Sequence, residues 1–246
     1  MKAVVLAAGY ATRLYPLTLD RPKALLPISD KTILDYIIDQ LEVLEEINEI
    51  IIVSNHRFIG AFQNWQQGRK TNKVLKVVDD GTICDEEKLG AIGDLNLVIE
   101  RERIEEDLLV LAGDNIFTFS LKGYVQYFRE KNRDCILVQP LDNQEELSRV
   151  GNVLVDSSNR VIYFKEKPKI LRSNLGVFAL YIYCKNTLPL FKQYLAEGNK
   201  PDAPGYFPEW LYLRKEVYAY FSPGQCFDIG TPQAYQEIQQ FFMSKK

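Results

Sequence analysis

The sequence predicts an α/β fold, a three-layer αβα arrangement in which helices cover both faces of a mixed, mostly parallel sheet. Three observations carry this reading. Short β-branched runs alternate with amphipathic helical stretches through the first half of the chain, closely spaced strands dominate the second half, and no repeat or low-complexity segment interrupts either. A chain of 246 residues, 46% of them apolar, lies in the range of one large α/β domain with a sizeable core, so a single domain spanning 1–246 is expected.

Lys2–Leu6 reads as a buried strand, and Lys31–Glu45 as a helix because Ile33, Leu34, Ile37, Ile38, Leu41 and Leu44 recur at helical spacing. Glu49–Val53 follows as a strand, Phe58–Trp65 as a short helix, Val74–Val78 as a strand, Gly90–Arg101 as a helix and Leu108–Ala112 as a strand. That alternation is the signature of parallel strands joined by crossover helices. From Cys135 the texture changes: Cys135–Leu141, Asn152–Val155, Val161–Lys165 and Val177–Tyr183 are strands with few helices between them, which predicts antiparallel pairing. The turn-rich Asp156–Arg160 (DSSNR) joins two of them as a hairpin. A helix at Thr187–Leu195, a strand at Glu216–Phe221 and a helix at Pro232–Phe242, capped by Thr231 with proline at its first position, complete the chain.

Composition removes several classes of function. Thirty Lys plus Arg against thirty-three Asp plus Glu give a net charge of −3, which supplies neither the phosphate neutralisation that holds a nucleic acid nor a polybasic membrane contact. Cys84, Cys135, Cys184 and Cys226 form no CxxC pair, so zinc spacing and a disulfide framework are absent and a reducing, cytoplasmic setting is expected. The apolar run Ala3–Ala8 is too short for a signal-peptide core, and no later run reaches membrane-spanning length. His56 is the single histidine, so chemistry needing two histidines is excluded. It follows a strand and reads as a loop residue, while Trp65, Trp210 and the tyrosine-rich strands read as packing.

The most informative segment is LAAGYATRLYPLTLDRPKALLPI, Leu6–Ile28. It leaves the first strand through small residues, which let backbone N–H groups approach an anion closely, and it carries Thr12, Arg13 and Lys23. The plain alternative is that Gly9 only permits a left-handed turn at a strand end. Neither a Walker loop nor a GxGxxG dinucleotide motif is present, because Gly9 is the only glycine there and no GKS or GKT follows. Farther on, Asp114 in LVLAGDNIF ends a buried strand and Asp228 in CFDIGTP precedes the last helix. Two carboxylates at strand ends suit Mg²⁺, which takes oxygen donors and few protein ligands, although both stretches are also good turn sequences.

The Leu6–Ile28 segment resembles the opening of the nucleotidyltransferase family that makes nucleotide-sugars from nucleoside triphosphates and sugar 1-phosphates, whose pattern is LAAGxGTRLxPLTxxxPKxLLPI. The likeness is of the glucose-1-phosphate thymidylyltransferase kind and implies the Rossmann-like fold of nucleotide-diphospho-sugar transferases. One departure is Ala11, which stands where the family usually has a second glycine; one added methyl is expected to be tolerated. The resemblance implies that Leu6, Ala8, Gly9 and Thr12 bind nucleotide, that Arg13 and Lys23 act on the phosphates, and that Asp114 and Asp228 hold Mg²⁺, since GDN and DxGTP match the family's metal segments.

Further segments resemble the family in order and spacing. Gly151 in GNVLVD, Glu166 and Lys167 in EKP, and Asn174 in SNLGVFALYIY correspond to its sugar-phosphate elements: close approach at Gly151, sugar hydroxyls on Glu166, phosphate on Lys167. Read alone, Glu166 and Lys167 would be a solvated hairpin end. LGAIGDL resembles the family's LGTAGAL or LAQAL segment, which implies that Gly90 and Gly93 let backbone face the base and that Asp79, with Asp80, lies near the base-reading position. Relatives reading thymidine or uridine often carry Gln there, so the acidic pair leaves the base open. The implied activity joins a nucleoside triphosphate to a sugar 1-phosphate, and homo-oligomers occur in the family. Two alternatives stand beside it: cytidylyl transfer to a non-sugar phosphate such as phosphocholine, and a non-catalytic nucleotide- or sugar-binding regulator. No C-terminal left-handed β-helix is expected in these 246 residues, and so no acetyltransferase activity.

Overall fold

In the computed structural model, which describes residues 1–243, the chain opens with β1 (Lys2–Leu6), and a two-residue ladder of β2 (Pro27–Ile28) with β3 (Lys31–Thr32) leads into α1 (Ile33–Glu42). β4 (Glu49–Ser54), α2 (Ile59–Gly68), β5 (Val74–Asp79), α3 (Ala91–Arg101) and β6 (Leu108–Ala112) continue the alternation. After β7 (Asn115–Phe117) and α4 (Lys122–Lys131) come β8 (Asp134–Pro140), the one-turn α5 (Gln144–Leu147), β9 (Gly151–Val155), β10 (Val161–Glu166) and β11 (Leu175–Tyr183). The last elements are α6 (Pro189–Ala196), α7 (Tyr206–Leu211), β12 (Val217–Phe221), β13 (Cys226–Asp228) and α8 (Pro232–Met243).

The sheet runs β10-β9-β11-β6-β1-β4-β5, with β8 on β11 and β12 on β8. The four strands of the first half are parallel, and β11 joins β6 antiparallel through Leu180–Tyr183. Successive residues of a strand face opposite sides, and the core divides accordingly. Ala3, Val5, Ile50, Ile52, Leu109 and Leu111 pack with α1, α2, α4 and α8; Val4, Ile51, Val53, Leu108 and Val110 pack with α3, α6 and α7. Both faces are therefore covered, which is why β4 is apolar at four consecutive positions instead of alternating. This is the three-layer mixed sheet that the pattern predicts.

The expected antiparallel pairing holds for β9 with β10, β9 with β11 and β8 with β11, and Asp156 closes the β9–β10 turn by accepting from the N–H groups of Ser158 and Arg160. β12, by contrast, pairs with β8 in parallel. The first helix begins at Ile33, two residues later than the spacing suggests, because Lys31 and Thr32 are paired with Ile28 and Pro27. Thr32 caps it in a reciprocal box with Asp35. Thr231 caps α8 through the N–H of Ala234, as expected. β7, α4, α5, α7 and β13 go beyond the elements that the sequence announces. All four cysteines are free, and no helix among the described residues is long and apolar enough to cross a membrane.

Candidate active site

The site forms where the strand order reverses. β1 lies between β4 and β6, so the loops leaving β1 and β6 diverge from adjacent strand ends, the place where open α/β sheets bind ligands. Gly113 makes this junction possible: its N–H donates to the Leu6 carbonyl at 2.8 Å, and a Cβ on it would lie 2.9 Å from that oxygen. The loop after β1 is held from several sides. Buried Asn55 donates its amide to the Ala8 carbonyl at 2.8 Å, the Tyr10 hydroxyl bonds that of Thr82 at 3.2 Å, and buried Thr18 donates to the Ala11 carbonyl at 2.9 Å. Gly9 is exposed, and a Cβ on it would meet no protein atom within 4 Å, so the space beside this backbone is open.

Left-handed geometry falls on Ala11, at φ 50° and ψ 40°, and Gly9 takes no such conformation. The methyl group at the family's second glycine position is thus tolerated at the cost of a backbone conformation that glycine adopts without strain. Thr12 and Arg13 follow in a 3₁₀ turn with exposed side chains, anchored by buried Leu14.

Opposite this loop, Asp114 and Asp228 come together through a short antiparallel ladder in which Asp228 faces Asn115, while the N–H of Ile229 donates to the Asp114 carbonyl at 3.1 Å. Lys23 donates to the Asp114 carboxylate at 2.5 Å. Asp228 reaches solvent, yet surrounding protein desolvates it, the situation of a group on the floor of a cleft. That desolvation, with the charge of Asp114, pushes its carboxyl up to about 6, against the downward pull of Lys23, Arg13 and Lys167. Four of the sequence-predicted residues, Asp114, Lys23, Arg13 and Lys167, thus bear on the fifth, Asp228, and Lys23 and Asp114 are in direct contact. Two neighbouring carboxylates, with no third carboxylate, thiol or imidazole grouped with them among the described residues, leave room for water and phosphate oxygens, a donor set that suits Mg²⁺.

The sugar-side candidates come from one sheet edge. Glu166 ends β10 with only 8% of its surface exposed, and burial pushes its carboxyl up to about 7, with Lys167 pulling down and Glu209 pushing up. No described residue donates a hydrogen bond to its carboxylate. This buried acceptor is not the solvated hairpin end that EKP alone suggests. Lys167 is exposed and sits at φ 45°, a left-handed conformation uncommon for a side-chain-bearing residue. Gly151 is buried, and a Cβ there would lie 2.9 Å from Phe164 and 3.1 Å from Val177, so the protein's own packing accounts for this glycine. Asn174 is exposed beside Ser173, in a segment pinned by the buried amide of Asn152, which donates to the Ser173 and Leu175 carbonyls.

On the nucleotide side, the Asp79 carboxylate is occupied by His56 Nδ1 at 2.6 Å and by the N–H of Gly81 at 2.8 Å. Asp80 turns inward, accepts from the N–H and hydroxyl of Thr82, and lies close enough to Asp94 for each carboxyl to shift the other. Gly90 sits at φ 79° against the 201–202 backbone, where a Cβ would be 2.6 Å from the Pro201 carbonyl oxygen; at Gly93 a Cβ would meet only the Leu89 side chain. Sequence reasoning passes over Asn55, Thr18, Tyr10, Thr82, Asn152 and Asp94. Only Asp94 carried a signal, as an acid where LGTAGAL has alanine.

Comparison with known proteins agrees with this architecture. Residues 2–245 match the family described as nucleotidyl transferase. A putative mannose-1-phosphate guanyltransferase of Sulfolobus acidocaldarius is 28% identical over 250 residues, covering 100% of this chain and 64% of that protein. The UTP–glucose-1-phosphate uridylyltransferase AglF of Haloferax volcanii is 31% identical over 190 residues, covering 74% of this chain and 72% of that one. Against the first three such relatives this chain spans 55% to 64% of their length. The fold is shared with UDP-glucose pyrophosphorylase complexed with UDP-glucose, at TM-score 0.83, 21% identity and coverage of 100% and 99% of the two chains. It is shared too with a putative glucose-1-phosphate thymidylyltransferase from Bacillus anthracis, at TM-score 0.80, 24% identity and coverage of 98% and 94%. With its sequence matched from end to end of the sheet and its strands arranged as in those structures, the chain belongs to the nucleotidyl transferase family.

Proposed function

We propose that the chain is one nucleotidyltransferase domain that joins a nucleoside triphosphate and a sugar 1-phosphate into a nucleotide-sugar, releasing pyrophosphate in a Mg²⁺-dependent reaction. In this reading the N-terminal half takes the nucleotide and the C-terminal half the sugar phosphate. The observation that carries it is the approach of Asp228 to Asp114 and its partner Lys23 across the β7–β13 ladder, with Arg13 and Lys167 adding positive charge.

The reaction suits a site without a histidine base. A phosphomonoester has its second pKa near 6, so the sugar phosphate arrives ionised. One of its oxygens attacks the α-phosphorus of the triphosphate; the new P–O bond forms as the bond to the α–β bridging oxygen breaks, and pyrophosphate leaves with the electron pair. Arg13 and Lys23 neutralise the triphosphate, whose phosphates lie along the backbone from Leu6 to Thr12, and Lys167 holds the attacking phosphate. Asp114 and Asp228 would hold Mg²⁺, which when bound adds positive charge against the phosphate oxygens. The buried Glu166 carboxylate, with no protein donor on it, can accept hydrogen bonds from the hydroxyls of a sugar.

The test is pyrophosphate release from four triphosphates, each paired with a panel of sugar 1-phosphates and with phosphocholine, in Mg²⁺. Release with a sugar 1-phosphate is expected. Release with phosphocholine alone would favour the cytidylyl alternative, and nucleotide binding with no release in any pairing would favour a non-catalytic regulator.

A further inference from the structure

Gly205 stands immediately before α7 with φ −72° and ψ −13°, a backbone conformation open to any residue. Its missing side chain is therefore not demanded by the backbone. What occupies that space is Glu166: a Cβ on Gly205 would lie 2.0 Å from its Oε2, 2.6 Å from its Cδ and 3.2 Å from its Oε1. Both residues are buried, and since no protein donor holds the Glu166 carboxylate, steric contact with Gly205 sets its position on that side.

The same short helix grips the Glu166 backbone. Glu209 accepts the Glu166 N–H at 2.8 Å and pairs with Lys165 at 2.6 Å. The helix is itself fixed by Phe207, stacked on Phe191 at a centroid distance of 3.7 Å. Upstream, the carbonyls of Pro201 and Asp202 accept the N–H groups of Ile92 and Ala91 at 2.9 and 3.4 Å, at the start of α3. One strap, residues 201–209, therefore ties the nucleotide-side helix to the sugar-side carboxylate.

We propose that Gly205 is a positioning residue for Glu166, setting how deeply this carboxylate enters the pocket for the sugar hydroxyls, with Glu209 fixing the strand end that carries it. The inference rests on the reading of the site as a sugar-1-phosphate pocket. A methyl group at 205 would displace the carboxylate from its present place, and misplacement of a contact by about 1 Å is enough to cost orders of magnitude in turnover.

The test compares Gly205→Ala, Glu166→Asp and the double variant in steady-state pyrophosphate release, with circular dichroism and thermal melting to verify folding. Gly205→Ala is expected to raise KM for the sugar 1-phosphate about tenfold or more while leaving KM for the triphosphate within about twofold. Glu166→Asp withdraws the carboxylate by one methylene, so in that background the Gly205→Ala effect is expected to shrink to about threefold or less, a rescue that mere loosening of the strap would not produce. Should Gly205→Ala not fold, Glu209→Ala takes its place, with a selective rise in sugar KM expected.

A sugar KM unchanged in a folded Gly205→Ala protein, or an equal rise in both KM values without rescue by Glu166→Asp, overturns the inference. A carboxyl-carbon NMR titration of Glu166 decides it without turnover. Burial pushes the carboxyl up to about 7, and displacement toward solvent by Gly205→Ala is expected to move its titration toward the ordinary glutamate range. An unmoved titration overturns the positioning role. Absence of turnover with every sugar 1-phosphate would count against the proposed reaction and leave the titration to decide on Gly205.

Discussion

Lys23 and Asp114, 91 residues apart in sequence, meet through a hydrogen-bonded ion pair of 2.5 Å at the mouth of the loop after β1. Each belongs to a different wall: Lys23 to the segment that returns from the phosphate loop, Asp114 to the exit of β6. The pair holds a cation and a carboxylate in register, and in the proposed reaction that would lower the reorganisation needed when phosphate oxygens bind.

Lys23→Met is expected to lower kcat by about 10²-fold or more, the scale for losing one electrostatic stabiliser of a developing charge. Lys23→Arg is expected to restore little, since a planar guanidinium does not replace a compact ammonium against one carboxylate. Pyrophosphate release at saturating substrates checks both, and wild-type kcat in Lys23→Met would remove this residue from the phosphate machinery.

Glu166 gives a pH dependence with a definite sign. Burial raises its carboxyl to about 7, so below that pH the group carries a proton and has lost acceptor capacity toward sugar hydroxyls. Sugar affinity is therefore expected to strengthen as pH rises from 6 to 8. The substrate's own phosphate ionises near 6, so the informative quantity is the difference from Glu166→Gln, which should lack this limb and bind the sugar 1-phosphate about tenfold more weakly at pH 8. Identical KM profiles in the two proteins would show that Glu166 touches no hydroxyl.

Asp94 is expected to make stability depend on pH. It is 6% exposed, its Oδ1 has no hydrogen-bond partner, and burial together with the charge of Asp80 pushes its carboxyl up to about 8. A folded-state pKa above the unfolded value means that the folded protein binds the extra proton between about pH 4 and pH 8, so stability falls as pH rises through that window. Asp94→Asn removes the ionisation and is expected to stabilise the protein at pH 8 by about 1–3 kcal/mol, with a much smaller effect at pH 4. Urea unfolding at the two pH values measures this, and equal effects at both would contradict it.

Ala11→Gly tests the strained turn. The left-handed φ of 50° costs alanine about 1 kcal/mol that glycine avoids, partly offset by the greater freedom of glycine in the unfolded chain. A net gain of up to about 1 kcal/mol is expected in chemical unfolding, with KM for the triphosphate unchanged. A loss of stability would mean that the methyl contact with the core outweighs the backbone strain.

Residues whose role is local were legible before the structure. The parallel strands announce themselves as β-branched runs, and Arg13, Lys23, Asp114, Asp228 and Lys167 sit in contiguous motifs, so they could be named in advance; of these, the structure pairs Lys23 with Asp114 and sets Asp228 opposite Asn115. α4 was harder. Tyr124, Val125 and Phe128 keep a helical spacing, but the surrounding charges in KGYVQYFREK leave too narrow an apolar stripe to read with assurance. β7 and β13 are three residues each and exist as strands only because residues 115–117 pair with 226–228, more than a hundred residues away. The Gly205 contact with Glu166 and the Asp80–Asp94 pair are likewise products of tertiary approach, and no period or motif encodes them.

The central place of β1 bears on the order in which the molecule can be built. Lys2–Leu6 is made before both of its sheet neighbours, β4 and β6, the second of which ends at Ala112. Until that residue has been synthesised and has emerged, one edge of the strand is open and the loop that follows it lacks the backbone of Gly113 on which Leu6 rests. Asp228 arrives later still, at the end of β13. The charged centre is thus assembled in stages: Lys23 and Asp114 can pair once β6 has been made, and the second carboxylate joins them only after residues 115–117 have found 226–228.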